Sequence, residues 1–194
     1  MGNNWAIILA AGSSKRMGKQ KLLLPYKGST IIETVVDHVL ASKVDHILVV
    51  LGADSDRVTR ALESKEVVYC HNREHHQGML SSVICGFRSL PDDANTALVY
   101  LGDQPEIPAR VTNRVIDAYN EDIKGIVIPV YNHRRGHPLL VDLKYRRDID
   151  KLDLEQGLRS LMHLFPQDVL EVEVEDPGIL VDIDTEEDYT KAIK

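Results

Sequence analysis

Trp5-Ala6-Ile7-Ile8-Leu9-Ala10-Ala11-Gly12-Ser13-Ser14-Lys15-Arg16-Met17-Gly18-Lys19-Gln20-Lys21 opens with an apolar run of strand length, passes through small residues and ends in a cluster of cations. Trp5 to Leu9 suit a buried strand, and Ala10, Ala11, Gly12, Ser13 and Ser14 let a ligand approach the backbone. Lys15, Arg16, Lys19 and Lys21 fall within seven positions with no acidic residue among them, in a chain of net charge −7. Turn amides form an anion nest, but such dipoles contribute only about 0.3–2 kcal/mol per charge, so a triphosphate needs fixed cations as well. Arg forks two phosphate oxygens and Lys acts as a movable point charge, which singles out Arg16 and Lys21 as separate clamps. The plainer alternative is a solvated basic loop, which is what most charge runs are.

Two familiar phosphate loops do not fit. A Walker A loop has four residues between its glycines and ends in Lys-Ser/Thr, whereas Gly12 and Gly18 enclose five residues and Lys19 precedes Gln20. The Gly-x-Gly-x-x-Gly of dinucleotide folds is also missing.

Outward from this stretch, apolar periodicity alternates between strand and helix. Thr30-x-x-Glu33 is a capping box that starts a helix with Ile31, Ile32, Val35, Val36, Val39 and Leu40 on one face, and His46 to Leu51 then reads as a buried strand. The pattern repeats: helix over Asp54 to Leu62, strand over Val67 to Cys70, helix over Gly78 to Leu90, strand over Thr96 to Leu101. A helix with Pro108 in its first turn and a strand over Gly125 to Val130 follow. A polar loop runs through Gly136, extended pieces lie near Leu139 and over Val169 to Val174, and a helix falls near Gly157 to Leu164. Thr185-x-x-Asp188 caps a last helix over Glu186 to Ile193. This alternation predicts one α/β domain over residues 1–194: Rossmann-like, three-layered, with a mainly parallel central sheet. Ligands of such sheets bind beyond the carboxyl ends of the strands, so the loops after Leu9, Leu101 and Val130 share one rim.

At 194 residues, 43% hydrophobic and 27% charged, the chain has the composition of an ordinary soluble domain. No apolar run is long enough for a membrane span and no signal-peptide pattern precedes the first strand, so the expectation is a cytoplasmic protein without a membrane partner. Residues 1–32 carry five basic side chains and no acidic one, and the other 162 carry 18 basic against 30 acidic. A body so acidic repels nucleic acid, so the local basic patch suits a small phosphorylated ligand. Cys70 and Cys85 lack Cys-x-x-Cys spacing and read as free thiols.

Asp103 in Gly102-Asp103-Gln104-Pro105 follows directly on an apolar strand and belongs at the rim, with Gly102 permitting close ligand approach. A carboxylate about 4 Å from a phosphate repels it by about 4 kcal/mol at an effective dielectric of 20. A Mg²⁺ bridging the two reverses that sign; the alternative is a strand-end Asp that caps a turn. Asp182 and Asp184 stand at i and i+2, on one face of an extended backbone, where either completes a metal shell or Asp184 and Thr185 merely cap the last helix. His71-Asn72-Arg73-Glu74-His75-His76 matches no zinc spacing and reads as a polar loop before a helix.

Leu9 to Lys21 resembles the Leu-Ala-Ala-Gly-x-Ser-x-Arg-Met-Gly-x-x-Lys signature of the MobA-like NTP transferases, and in particular the molybdenum cofactor cytidylyltransferases. Asn72, Gly78-Met79-Leu80-Ser81-Ser82, Gly86, Gly102-Asp103-Gln104-Pro105, Arg135-Gly136-His137-Pro138 and Asp182-Ile183-Asp184-Thr185-x-x-Asp188-Tyr189 stand in the order found in that family. The resemblance implies a nucleotide-diphospho-sugar transferase type of fold and Mg²⁺ held by Asp103 and Asp182. It implies catalysis by Arg16, Lys21 and Asp103, and nucleotide contacts from Leu9, Ala10, Ala11, Gly12, Ser13, Ser14, Arg16, Lys21, Asn72, Ser81 and Gly102. It assigns Arg135, Gly136, His137 and Arg159 to the acceptor. Its implied reaction is CMP transfer from CTP to the phosphate of molybdopterin, with a molybdoenzyme or maturation factor as a possible protein partner. Ala10-Ala11 is similar to the CTP users, where GTP users have Ala-Gly or Gly-Gly, a difference of one methyl group worth about 1–3 kcal/mol. Leu154-Glu155-Gln156-Gly157-Leu158-Arg159 departs from the Gly-Asp-x-Gly-Ala-Arg of many relatives, which bears on the acceptor. The alternatives are guanylyl transfer from GTP, cytidylyl transfer to a sugar or polyol phosphate, and a nucleotide-binding accessory protein without turnover.

Overall fold

Residues 3–12, 17 and 19–193 are described by the computed structural model of the chain. In order they form β1 (Asn4–Ala10), β2 (Pro25–Tyr26), β3 (Ser29–Thr30), α1 (Ile31–Leu40), β4 (His46–Leu51), α2 (Ser55–Ala61) and β5 (Val68–His71). Then come α3 (Met79–Ser89), β6 (Thr96–Leu101), α4 (Ala109–Glu121), β7 (Ile126–Tyr131), β8 (Arg134–Arg135) and β9 (Leu139–Asp142). The last elements are α5 (Arg146–Ile149), α6 (Arg159–Leu164), β10 (Val169–Glu173) and α7 (Glu186–Ala192).

The main sheet runs β10-β7-β9-β6-β1-β4-β5, with β8 paired to β7 and β2-β3 a separate hairpin. β1 pairs in parallel with both β4 and β6, β4 with β5, and β7 with β10; β9 alone runs antiparallel between β6 and β7. The mainly parallel expectation therefore holds, with two reversed strands, β8 and β9, that follow from the tight β7–β8 turn. Asn132 and His133 both have positive φ in that turn, a conformation that matches hairpin twist and that Asn tolerates. β9 then returns antiparallel instead of after a crossover helix.

Alternate side chains of β1 divide the core. Ala6, Ile8 and Ala10 face Ile31, Ile32, Val35, Val36 and Val39 of α1 together with Val115 and Ile116 of α4, whereas Ile7 faces Leu80, Val83 and Phe87 of α3 and Leu161 of α6. Helices thus cover both faces, as a sheet of buried parallel strands requires. The Thr30/Glu33 capping box forms and starts α1 as expected. Leu40, expected inward, is 42% exposed at the last position of that helix, and Pro108 stands at the N-cap of α4, one position before its first turn. No helix among the described residues is long and apolar enough to cross a membrane.

Candidate active site

β1 and β6 both end at one rim, where a cleft of about 540 Å³ opens, a size suited to a nucleotide. Leu9, Ala11, Gly12 and Leu101 form its floor; Lys21, Asp103, Asp182 and Asp184 form one wall; His75, His76, Gly78, Met79 and Ser82 form the opposite one. β1 lies between β4 and β6, and chain order runs outward from it in both directions, the switch point at which open α/β sheets hold ligands.

The charged wall is assembled from three distant segments. Lys21 opens a 3-10 turn over Lys21–Leu23, where its Nζ donates to Asp103 and, at 2.7 Å, to Oδ1 of Asp184. Ile183 is fully buried in the core, and its N–H donates to the Asp103 carbonyl at 3.0 Å, so the segment carrying Asp182 and Asp184 is clamped to the turn after β6. Burial lowers the pKa of Lys21, but the charge and hydrogen bonds of Asp103, then those of Asp184, more than offset this and leave it above its ordinary value. Burial raises Asp182; a hydrogen bond from Gln104 opposes the rise, and the charges of Asp103 and Asp184 add to it. Thr185 is the N-cap of α7, its box completed by Asp188, so capping falls to Thr185 while the Asp184 carboxylate turns to Lys21.

The opposite wall depends on a polar lock. Asn72 donates from Nδ2 to the hydroxyls of Ser81 at 2.8 Å and Ser82 at 3.0 Å, and its Oδ1 accepts from the Glu74 N–H. Ser81 in turn donates to the Glu74 or Gly78 carbonyl. Gly78, at φ +100°, turns the chain into α3 without a side-chain cap of its own, and Gly78 and Met79 place the N-terminal, positive end of the helix in the cleft lining.

Of the residues singled out in the sequence, Leu9, Ala11, Gly12, Lys21, Asp103, Asp182 and Asp184 line this cleft. Ala10 points the other way, into the α1 face of the core. Gly102 is buried, donates to the Leu9 carbonyl at 3.1 Å, and an added Cβ would lie 2.8 Å from that oxygen. Its smallness therefore joins β6 to β1 and does not open a path for ligand. Asn72 and Ser81 spend their polar groups on the lock, and it is Ser82 that reaches the lining. The four acceptor candidates do not line the cleft. Arg135 is exposed and bonded to Glu171 at 2.7 Å, and Gly136 packs its backbone against Ile179. His137 Nδ1 lies 3.2 Å from the Val99 carbonyl, and Arg159 donates back to the Gln156 carbonyl. Burial lowers the His137 pKa against the opposing pull of that carbonyl and of Asp182 and Asp103, which favours the neutral ring. Ser13, Ser14 and Arg16 lie outside the described residues. His75, His76 and Met79 were not expected in the lining; the loop after β5 emerges at the same rim as those after β1 and β6, which is the signal that finds them.

The sequence profile of the MobA-like NTP transferase domain matches residues 6–171. The chain belongs to that family. It is a nucleotidyltransferase. The molybdenum cofactor cytidylyltransferase of Escherichia coli K12 is 28% identical over 186 residues, covering 96% of this chain and 93% of that protein. The nicotine blue oxidoreductase of Paenarthrobacter nicotinovorans is 28% identical over 190 residues, covering 93% and 92%. Among solved structures, Rv0371c of Mycobacterium tuberculosis H37Rv superposes with a TM-score of 0.84 at 25% identity over 99% of this chain and 98% of its own. A crystal structure of Rv0371c in complex with manganese superposes with a TM-score of 0.78 at 22% identity, over 98% of each chain.

Proposed function

We propose that this MobA-like NTP transferase is a Mg²⁺-dependent cytidylyltransferase that moves CMP from CTP onto the terminal phosphate of molybdopterin and releases pyrophosphate. The observation that carries the proposal is the wall of Lys21, Asp103, Asp182 and Asp184 at the carboxyl ends of β1 and β6, in a cleft of nucleotide size. The acceptor phosphate is ionised near neutral pH, so attack on the α-phosphorus asks for alignment and charge neutralisation more than for a general base.

The residues present fit a hard divalent ion. Carboxylate oxygens of Asp103 and Asp182 face one cleft, and the neighbouring negative charges help to raise Asp182, a burden that a cation relieves. Among the described residues no three His, Cys, Asp or Glu side chains form a closed cage, and Mg²⁺ characteristically takes one or two carboxylates and completes its shell with water and substrate phosphates. When bound, the ion would neutralise phosphate charge and align the α-phosphate. Lys21 would exchange its carboxylate partners for the triphosphate and follow charge onto the leaving pyrophosphate, a role that the loop signature also gives Arg16. Leu9 and Ala11 would bear on the nucleotide from the floor, and the Ala11 methyl supports the smaller pyrimidine over guanine by about 1–3 kcal/mol at most.

Pyrophosphate release from CTP, GTP, ATP and UTP, each with Mg²⁺ and purified molybdopterin, tests the proposal when run beside Asp103→Ala. Release with CTP alone, lost in the variant, is the expected result. Preference for GTP would overturn the base assignment and keep the chemistry. Near-normal turnover of Asp103→Ala would remove the metal assignment. Measurable CTP binding without release from any nucleotide would point to another acceptor or to an accessory role.

A further inference from the structure

We propose that Gln104 is a positioning residue that aims the Asp182 carboxylate at the bound ion; this rests on the metal assignment above. Gln104 follows Asp103 in the turn after β6, and its own N–H closes that turn on the Leu101 carbonyl at 3.3 Å. Its side chain is 4% exposed, and Nε2 donates to Oδ1 of Asp182. The amide has only this orientation available, because the reverse would set its oxygen against a carboxylate. The consequence is a buried Oε1 with no hydrogen-bond partner among the described residues.

A stranded buried acceptor weakens a fold, and an apolar side chain of the same length would fill the site without one. The stranded Oε1 offsets what the bond to the Asp182 carboxylate contributes, so the amide adds little net stability, whereas Asp182 gains a fixed orientation from it. Asp182 sits on irregular backbone beyond the 3-10 turn Pro177–Leu180, and its neighbours, not its own carboxylate, carry the other ties to the Asp103 turn: the Ile183 N–H, and Lys21 bridging Asp103 and Asp184. Repulsion from Asp103 and Asp184 would swing an unheld carboxylate toward water. The Gln104 amide opposes that swing, so one short turn supplies a carboxylate ligand, Asp103, and the donor that orients a second.

Gln104→Met keeps length and removes both polar atoms. Titration of the protein with Mn²⁺, followed by the spectroscopic signal of the free ion, is expected to show affinity weakened about 10-fold or more, the usual effect of losing a hydrogen bond to a metal ligand. Its Tm, taken without metal, is expected to stay within a few degrees of that of the unsubstituted protein, because loss of the bond to Asp182 and relief of the stranded Oε1 offset each other. A Tm lower by more than a few degrees would make Gln104 a structural tie and overturn the proposal, and so would unchanged Mn²⁺ affinity. Asp103→Ala separates the two levels: if it too binds Mn²⁺ normally, the metal assignment itself fails, whereas loss in Asp103→Ala with retention in Gln104→Met overturns the role of Gln104 alone.

Discussion

Replacing Lys21 by Met removes the cation that joins Asp103 to Asp184, and its effect can be sized from the contacts. At the 2.7 Å that separates Nζ from Asp184, the attraction is about 6 kcal/mol at an effective dielectric of 20, before desolvation is subtracted. The side chains of Lys21, Asp103 and Asp184 are 14%, 18% and 33% exposed. They lie between surface pairs, worth about 0–1 kcal/mol, and buried pairs, whose breaking costs about 3–5 kcal/mol. A loss of about 2–3 kcal/mol follows, or about 4–12 °C in Tm for a chain of this size. Because the folded-state pKa of Lys21 lies above the ordinary 10.5, the contribution is fully present below pH 10.5 and is lost only as pH rises through the higher folded value. Measured by thermal unfolding in EDTA near neutral pH, Lys21→Met should show this deficit in full. Added Mg²⁺ should then raise the Tm of the variant more than that of the unsubstituted protein, since the ion no longer competes with the ammonium for Asp103. A Tm in EDTA within about a degree of the unsubstituted protein would refute the sizing. Equal Mg²⁺ increments in both proteins would refute the idea that ion and lysine share a carboxylate.

Gly52→Ala should destabilise by about 1–3 kcal/mol and raise KM for the nucleotide, because the new Cβ would collide with the Ala11 carbonyl oxygen and lie 2.8 Å from the Ala11 Cα beneath the cleft; unchanged Tm and KM would show that the floor gives way freely. Cys85, 3.8 Å from Cys70, has its thiol lowered to about 7 by their shared hydrogen bond against an opposing effect of burial, helped by the charge of Arg88. Its alkylation by iodoacetamide, followed by mass spectrometry, should rise with pH to half its maximum near 7, and a midpoint at the ordinary 9.0 would contradict the pairing.

Where periodicity and local chemistry acted together, the sequence was sufficient. Val35, Val36 and Val39 repeat at helical spacing behind a capping box that spans only four residues, and both features are local. Leu9-Ala10-Ala11-Gly12 could be placed at a strand end for the same reason, and topology then sent it to the rim with Asp103. The acceptor residues were less accessible because their placement depends on β9. Arg135 belongs to a hairpin whose Asn132-His133 turn carries no glycine to announce it, and β9 inserts between β6 and β7, so the loop after β7 leaves the same rim but two strands away from β6, and Arg135 does not reach the lining. Asn72 was singled out in a polar loop before a helix, and the resemblance assigned both it and Ser81 to the nucleotide. Sequence cannot tell a hydroxyl that meets a ligand from one that meets its neighbour's amide, and here the two serines differ: Ser81 serves the lock and Ser82 the lining. The His75-His76 pair failed a zinc test that was the wrong test, since its position after β5 matters more than its spacing.

The acidic wall also explains why the last segment of the chain belongs to the site although it adds no strand to the sheet. α7 is short, and alone it would be marginal in water. It is held because Thr185 and Asp188 cap it, Tyr189 donates to the Pro25 carbonyl at 2.6 Å, and Ile183 fills the core just before it. Pro25 lies only four residues beyond Lys21, so docking α7 brings the acidic segment onto the basic one through Tyr189 to Pro25, Asp184 to Lys21 and Glu186 to Lys19. The repulsion among three carboxylates is offset by the burial of one isoleucine, a helix cap and a lysine drawn from the other end of the chain. Completion of the fold and assembly of the site are therefore the same event: until the C-terminal segment docks, Asp103 stands at the rim without Asp182 or Asp184 beside it.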